Sequence, residues 1–246
     1  DVPAAMSIVL LLTIILMLFS ALISWLKNWT YIVLIAVLVM MDFFSAKSEL
    51  FRFENQAYGL DYSLVHRSPY NQATIRRICS NAEQKTIDSL KYIRILNAWK
   101  EGTGEEKPLL FLINTSGGGS RSAAWMFEVL RYSDSLSSGG FTRHTALITG
   151  ASGGMVGGSF YRSLLLKKKN GERVNLDDPR YFQAISEDLL NKLSFAASTN
   201  DIFFRYQSRL KIGRAYNYDR GMAFEEDLNE NTFGLLDHSL EDFAIP

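Results

Sequence analysis

LLFLINTSGGGSRSAAWMFEVLRY, residues 109–132, is followed shortly by TALITGASGGMVGGSFYRSLLL, residues 145–166. Each stretch begins with a short apolar run, continues through glycines and ends in a helical pattern of apolar residues. A buried parallel strand that leads into a helix has this pattern. We therefore predict two successive strand–loop–helix units, in which neighbouring strands at 109–113 and 145–148 bring their C-terminal ends to one site.

The second loop contains the pattern G-x-S-x-G, formed by Gly150, Ser152 and Gly154. In a nucleophile elbow, a sharp turn between strand and helix lifts the serine hydroxyl out of the sheet, and small flanking residues allow the backbones to approach closely. Ser152 is therefore the candidate nucleophile. The alternative is that Ser152 is a small residue in a tight turn without a chemical role.

The first loop contains the glycine triplet Gly117, Gly118 and Gly119, followed by Arg121. An acyl-transfer serine needs backbone N–H groups aimed at the oxyanion of its tetrahedral intermediate. Glycines at a helix N-terminus expose such groups, and the helix dipole favours the negative charge. The same geometry also binds phosphate, but the Gly-Lys-Ser/Thr of a P-loop does not follow. We therefore predict an oxyanion hole.

The two motifs together, SGGGSR at 116–121 and GASGG at 150–154, resemble the patatin-like phospholipases and the related cytosolic phospholipase A2 catalytic domains. The resemblance covers residues 107–170 best. It implies an α/β fold with a mainly parallel sheet flanked by helices, and a Ser–Asp dyad that uses no histidine.

Carried over residue by residue, the resemblance makes Ser152 the nucleophile and places Gly118 and Gly119 in the oxyanion hole. The supporting positions that it implies are Gly117, Arg121, Gly150 and Gly154. Ser116 stands where patatins have an Asp, as in the cytosolic phospholipases. The family's catalytic Asp lies in a downstream D-G motif, and this sequence contains no Asp-Gly pair. We therefore expect the chain to be part of a longer protein, with the base beyond residue 246.

The N-terminal region predicts a membrane anchor. Residues 4–26 carry no charge and are long enough to cross a bilayer core of about 30 Å as a helix. A second apolar run at 29–44 follows Lys27 and Asn28, with tryptophans at the junction where amphipathic rings favour the headgroup region. We predict a transmembrane helical hairpin rather than a signal peptide, because the first run is too long and a second run follows at once.

These features divide the chain into a hairpin at 1–46, a connecting segment with an amphipathic helix at 47–106, and the N-terminal part of a hydrolase domain at 107–246. Further helices are expected at 71–99, 179–193, 201–212 and 223–228. Lys47 and Arg52 follow the second apolar run, whereas the turn carries only Lys27. The positive-inside tendency then favours a cytoplasmic catalytic domain, as in a bacterial inner-membrane protein.

Composition narrows the function. The chain has 26 basic and 26 acidic residues, so its charge gives no reason to expect a nucleic-acid partner. Cys79 is the single cysteine, which excludes an internal disulfide. No metal or cofactor is expected. The stretch ITGASGG at 148–154 also resembles the start of a short-chain dehydrogenase. That dinucleotide-binding fold needs a glycine where Val156 stands, so we favour the hydrolase.

Histidine offers a Ser–His–acid triad as another arrangement. His66 precedes the domain, His144 lies at the far end of the serine's strand, and His238 lies in an uninformative tail. We interpret all three as surface or structural residues.

We expect an acyl hydrolase that cleaves phospholipid or lysophospholipid esters. The alternative is a catalytically silent patatin-like subunit that joins a membrane protein complex through the hairpin.

Overall fold

The computed structural model describes residues 3–45, 60, 69–201, 208–211 and 213–238. Several sequence predictions lie outside these residues: those for His66, Lys47 and Arg52, and part of the helix expected at 201–212. The described chain is a mixed α/β protein that is largely helical and contains a short parallel pair of strands.

The helices, in chain order, are α1 (Ala4–Leu26), α2 (Thr30–Ser45), α3 (Gln72–Cys79), α4 (Ala82–Thr103), α5 (Gly119–Leu136), α6 (Gly140–His144), α7 (Ser152–Lys169), α8 (Pro179–Ser186), α9 (Asn191–Thr199) and α10 (Arg220–Asn231). The strands are β1 (Phe111–Thr115), β2 (Thr145–Gly150), β3 (Ser208–Lys211) and β4 (Arg214–Asn217). A 3₁₀ turn at Lys27–Trp29 joins α1 to α2.

The fold separates into two compact units. Unit 1 comprises Asp1–Leu60 and Asp188–Glu230, and unit 2 comprises Asp61–Glu187 and Asn231–Pro246. Unit 1 thus contains both the N-terminal apolar helices and a later part of the chain. The sequence analysis instead predicted domain boundaries after residues 46 and 106. Unit 2 contains both glycine-rich loops.

Unit 1 carries the apolar segment expected at the N-terminus. Residues Ala5–Met41 form a helical stretch of 37 residues with a hydropathy of 2.8, and none of its most apolar window is buried. By length and composition it is one helix able to cross a membrane. Lys27, with φ of +48°, interrupts the stretch, and the Thr30 hydroxyl caps the turn by donating to Lys27 O at 2.7 Å.

The rest of unit 1 is small and partly polar. Helix α9 packs against α1, and Ala196 of α9 is buried with Tyr218, Met222 and Ala223. Lys192 bridges α9 to α10, with Nζ 2.9 Å from an oxygen of Asp227. These contacts hold the later part of the unit on the N-terminal helix.

The helix expected at 201–212 is wrong over residues 208–211. Those residues form β3, which pairs antiparallel with β4 so that Ser208 faces Asn217 and Lys211 faces Arg214. Gly213 in the connection has a φ of +72°, a conformation that glycine adopts without a Cβ penalty. A glycine turn therefore overrides the helical pattern that precedes it. The helix expected at 223–228 is confirmed within α10.

The helix expected at 71–99 is present but divided at Ser80–Asn81. Asn71 caps α3 by accepting from Thr74 N at 2.9 Å, and Asn81 caps α4 by accepting from Gln84 N at 3.1 Å. An N-cap asparagine satisfies a backbone donor that the helix itself leaves unpaired. The second asparagine therefore starts a new helix inside the apolar pattern.

The core of unit 2 lies between α5, α7 and α8, beside the two strands. Strands β1 and β2 pair in parallel, as predicted, although β1 begins at Phe111 rather than residue 109. The buried core consists of Ala123, Met126, Phe127, Leu130, Phe160, Tyr161, Leu164, Tyr181, Ala184, Ile185 and Leu235. The other face of the sheet is open: Leu112 is 65% and Leu147 51% exposed.

Helices α5 and α7 approach each other very closely in unit 2. A Cβ built on Gly157 of α7 would lie 2.1 Å from the carbonyl oxygen of Ala123 of α5. Real Cβ atoms do not come that close to a backbone oxygen, so the helices can pack at this distance only because residue 157 is glycine.

Replacing Gly157 by alanine should lower the free energy of unfolding by about 2 kcal/mol, because overpacking forces the backbones apart. The urea midpoint of the detergent-solubilised chain measures the loss. Gly102→Ala is the matched control: Gly102 also lies in a helix, and its added Cβ meets nothing within 4 Å. That variant should be as stable as the wild type or more stable, by up to about 1 kcal/mol. Equal losses in the two variants would contradict the helix contact.

Candidate active site

The two strands end side by side. In their parallel register Thr115, the last residue of β1, faces Gly150, the last residue of β2. Both following loops therefore leave the same edge of the sheet. The prediction that the C-terminal ends meet at one place is confirmed.

Ser152 occupies a sharp turn at the start of α7. Ala151 before it is extended, with φ of −136° and ψ of 149°, and Ser152 itself has a φ of +53°. A non-glycine residue in this left-handed region is uncommon and carries strain. A strained strand-to-helix turn at a serine is the geometry of a nucleophile elbow.

The glycines on either side of Ser152 are required by the end of β1. A Cβ on Gly150 would lie 1.8 Å from Oγ1 of Thr115, and a Cβ on Gly154 would lie 2.4 Å from Ser116 O. The sequence suggested that these glycines permit close approach. The structure identifies what approaches them, which is the last strand residue and the first loop residue of the neighbouring unit.

The glycine loop, residues 116–119, lies beside Ser152. A Cβ on Gly117 would be 3.1 Å from the Ser152 Cβ and 3.8 Å from its Oγ. On the other side, a Cβ on Gly153 would be 1.9 Å from Gly119 O. The loop and the serine, predicted from separate motifs, are thus in direct contact.

Gly118 and Gly119 stand at the beginning of α5. Gly118 is its N-cap residue, with φ of +156°, and Gly119 is its first residue, with φ of +64°. The first N–H groups of a helix have no acceptor within that helix. Among the described residues the N–H groups of Gly118 and Gly119 have no acceptor, so they supply free donors at the positive end of the α5 dipole, within the loop that touches Ser152. An oxyanion formed at Ser152 would meet this arrangement.

Arg121 lies in the first turn of α5 with its side chain exposed. Within the described ranges it has no ion-pair partner closer than 4 Å. It adds a positive charge close to the glycine loop, as the sequence predicted, and it is accessible from solvent.

No carboxylate or imidazole among the described residues forms a hydrogen bond with the Ser152 hydroxyl. His144 is engaged at the opposite end of β2, where Nδ1 donates to Gly140 O at 2.7 Å and Nε2 lies 3.1 Å from Glu105 Oε1. His144 is therefore a structural residue and cannot complete a triad with Ser152.

Two further hydroxyl groups shape the site, and the sequence motifs did not indicate them. Thr115 Oγ1 is buried against Gly150 and has no hydrogen-bond partner among the described residues. The Ser122 hydroxyl donates to Ser116 O at 2.7 Å. Neither residue is one of the motif glycines, and only the folded structure shows what each hydroxyl group faces.

An apolar cavity of about 290 Å³ lies behind α7, along β2, with Phe141, Ile148 and Met155 among its lining residues. Neither Ser152 nor the glycine loop borders this cavity. In its lining the Tyr161 hydroxyl lies 3.0 Å from Thr142 Oγ1, and burial raises the pKa of Tyr161 so that it stays neutral. The cavity is therefore a feature of the core rather than of the serine's surroundings.

Within the described residues, no three metal-ligating side chains among His, Cys, Asp and Glu converge on a point. No protein-family model, curated protein or solved structure matches the chain.

The positive φ of Ser152 predicts an unusual order of stabilities. Ser152→Gly should be more stable than Ser152→Ala by about 1 kcal/mol, because only glycine occupies the left-handed region without strain. Chemical denaturation of both variants measures the difference. At Ser159, inside the same helix, the order should reverse, since alanine is favoured over glycine there by about 1 kcal/mol. If alanine is the better residue at both positions, the elbow geometry is wrong.

Proposed function

We propose that the protein is a serine acyl hydrolase of the patatin-like kind. The observation that carries the proposal is the contact between Ser152, in its strained elbow, and the glycine loop at the start of α5. A nucleophile on a sharp turn beside unpaired N–H donors is the arrangement that acyl transfer requires. The resemblance of SGGGSR and GASGG to patatin and cytosolic phospholipase A2 sequences agrees with it.

In this proposal the Ser152 hydroxyl attacks the ester carbonyl. The N–H groups of Gly118 and Gly119 hold the oxyanion of the tetrahedral intermediate, and Arg121 steadies the loop or binds a lipid phosphate. An aspartate other than the described ones accepts the serine proton and returns it to the leaving alcohol, giving an acyl-enzyme that water then hydrolyses. The described residues agree with a base from elsewhere, because none of them bonds to Ser152.

The substrate we propose is a membrane lipid ester, either a phospholipid or a lysophospholipid. The apolar segment Ala5–Met41 supports this, because a chain anchored in a bilayer is held close to lipid substrate. The full patatin-like sheet flanked by helices, the transmembrane hairpin and the cytoplasmic orientation in a bacterial inner membrane belong to the same proposal.

A second proposal is a catalytically silent patatin-like subunit of a membrane assembly, bound through the apolar helices. The specific observation in its favour is that no described carboxylate or imidazole forms a hydrogen bond with Ser152. It agrees less well with the strain at Ser152, since a structural serine gains nothing from a left-handed φ.

A serine-directed fluorophosphonate distinguishes the two proposals. The full-length protein, supplied with lipid vesicles, should be labelled and should release fatty acid. Ser152→Ala should show neither, because removing the nucleophile removes the covalent step, whereas losing one oxyanion donor typically costs about a hundredfold to a thousandfold. Ser163→Ala, a serine in the same helix, should keep both activities. A wild type without labelling or hydrolysis would favour the silent subunit.

The hairpin is tested by cysteine accessibility in right-side-out and in inverted membrane vesicles, which expose opposite faces of the membrane. A hairpin places both of its ends on one side of the membrane, so the native Cys79 and a Pro3→Cys, Cys79→Ser variant should react with an impermeant maleimide from the same side. Asn28→Cys in the Cys79→Ser background, at the turn, should react from the opposite side. If residues 3 and 79 react from opposite sides, the apolar segment crosses the membrane once.

A further inference from the structure

The glycine loop needs a contact that holds it in place. Three consecutive glycines have the largest backbone freedom of any residues, so residues 116–119 have little intrinsic rigidity. An oxyanion hole works only if its donors are already in place when the charge develops. Something other than the loop's own sequence must therefore hold it.

Ser122 contacts the loop at two points. Its hydroxyl donates to Ser116 O at 2.7 Å and so closes the loop across six residues. Its Cβ also lies against Gly118, where an added Cβ would be 3.0 Å away. One half-buried side chain in the first turn of α5 thus meets both the beginning and the middle of the loop.

This hydrogen bond differs from those of other helical serines in the chain. Serines in helix interiors commonly donate to the carbonyl four residues earlier on their own helix. Ser163 and Ser186 do so, the latter at 2.7 Å from Phe182 O. Ser122 instead reaches outside its helix to the residue that follows β1.

We propose that Ser122 is a positioning residue, which fixes the glycine loop so that the Gly118 and Gly119 N–H groups stay directed towards Ser152. The inference rests on the proposed acyl-hydrolase function. Ser122 acts through its contacts with Ser116 O and Gly118. Its removal should therefore slow the covalent step without changing how the substrate binds.

The test compares Ser122→Ala and Ser122→Thr with wild-type full-length protein in lipid vesicles. Labelling by a fluorophosphonate is measured at several concentrations, which separates the maximal rate from the binding constant. Ser122→Ala should lower the maximal rate about tenfold with an unchanged binding constant, while Ser122→Thr, which keeps the hydroxyl, should recover most of it. Ser186→Ala, which loses an equally short bond far from the loop, should label at the wild-type rate.

Backbone NMR order parameters of the glycine-loop amides supply a readout that does not depend on activity. Ser122→Ala should have lower order parameters at residues 117–119, with little change in the rest of α5. Labelling of Ser122→Ala at the wild-type rate would overturn the inference, as would equal losses in Ser122→Ala and Ser186→Ala. If the wild type is not labelled at all, the proposed function fails and the order parameters decide alone: lower values in the loop support the positioning role, and unchanged values overturn it.

Discussion

The structure of unit 2 depends on the close approach of α7 to the backbone of α5. Gly153 and Gly157, one turn apart on α7, face the carbonyl oxygens of Gly119 and Ala123, one turn apart on α5. At both points the oxygen occupies the space that a Cβ would need. Because neither contact involves a flexible side chain, the two helices have little freedom to slide, and their N-terminal ends stay together.

That contact connects the packing of the core to the chemistry of the site. The first residue of α7 is Ser152, and the first residue of α5 is Gly119. Holding the helices together therefore holds the serine beside the glycine loop. The strands complete the arrangement, because Thr115 and Gly150 end in register and press the elbow against the loop. The packed backbone around Ser152, rather than the local sequence, therefore holds this residue in its strained conformation.

The motifs of the site were predictable from sequence because they are local. A strand, a glycine turn and a helix follow one another within a few residues, so composition and spacing suffice to pair the strands and to single out Ser152. The roles of Thr115 and Ser122 were not predictable, since each depends on the backbone that the fold places opposite its hydroxyl group. The antiparallel pair β3–β4 was missed for a related reason: one left-handed glycine outweighs a short helical pattern.

The contacts that assemble Ser152 and the glycine loop all lie within residues 111–157. They join segments that lie far apart in the sequence, as in the parallel pairing of Thr115 with Gly150. Parallel pairing of this kind forms slowly, because loop-closure entropy is lost before the contacts form. We therefore expect α5 and α7 to form before Ser152 and the glycine loop meet. Ser152 then reaches its left-handed conformation only in the last step, so that a partly folded unit 2 carries the serine without the strained turn.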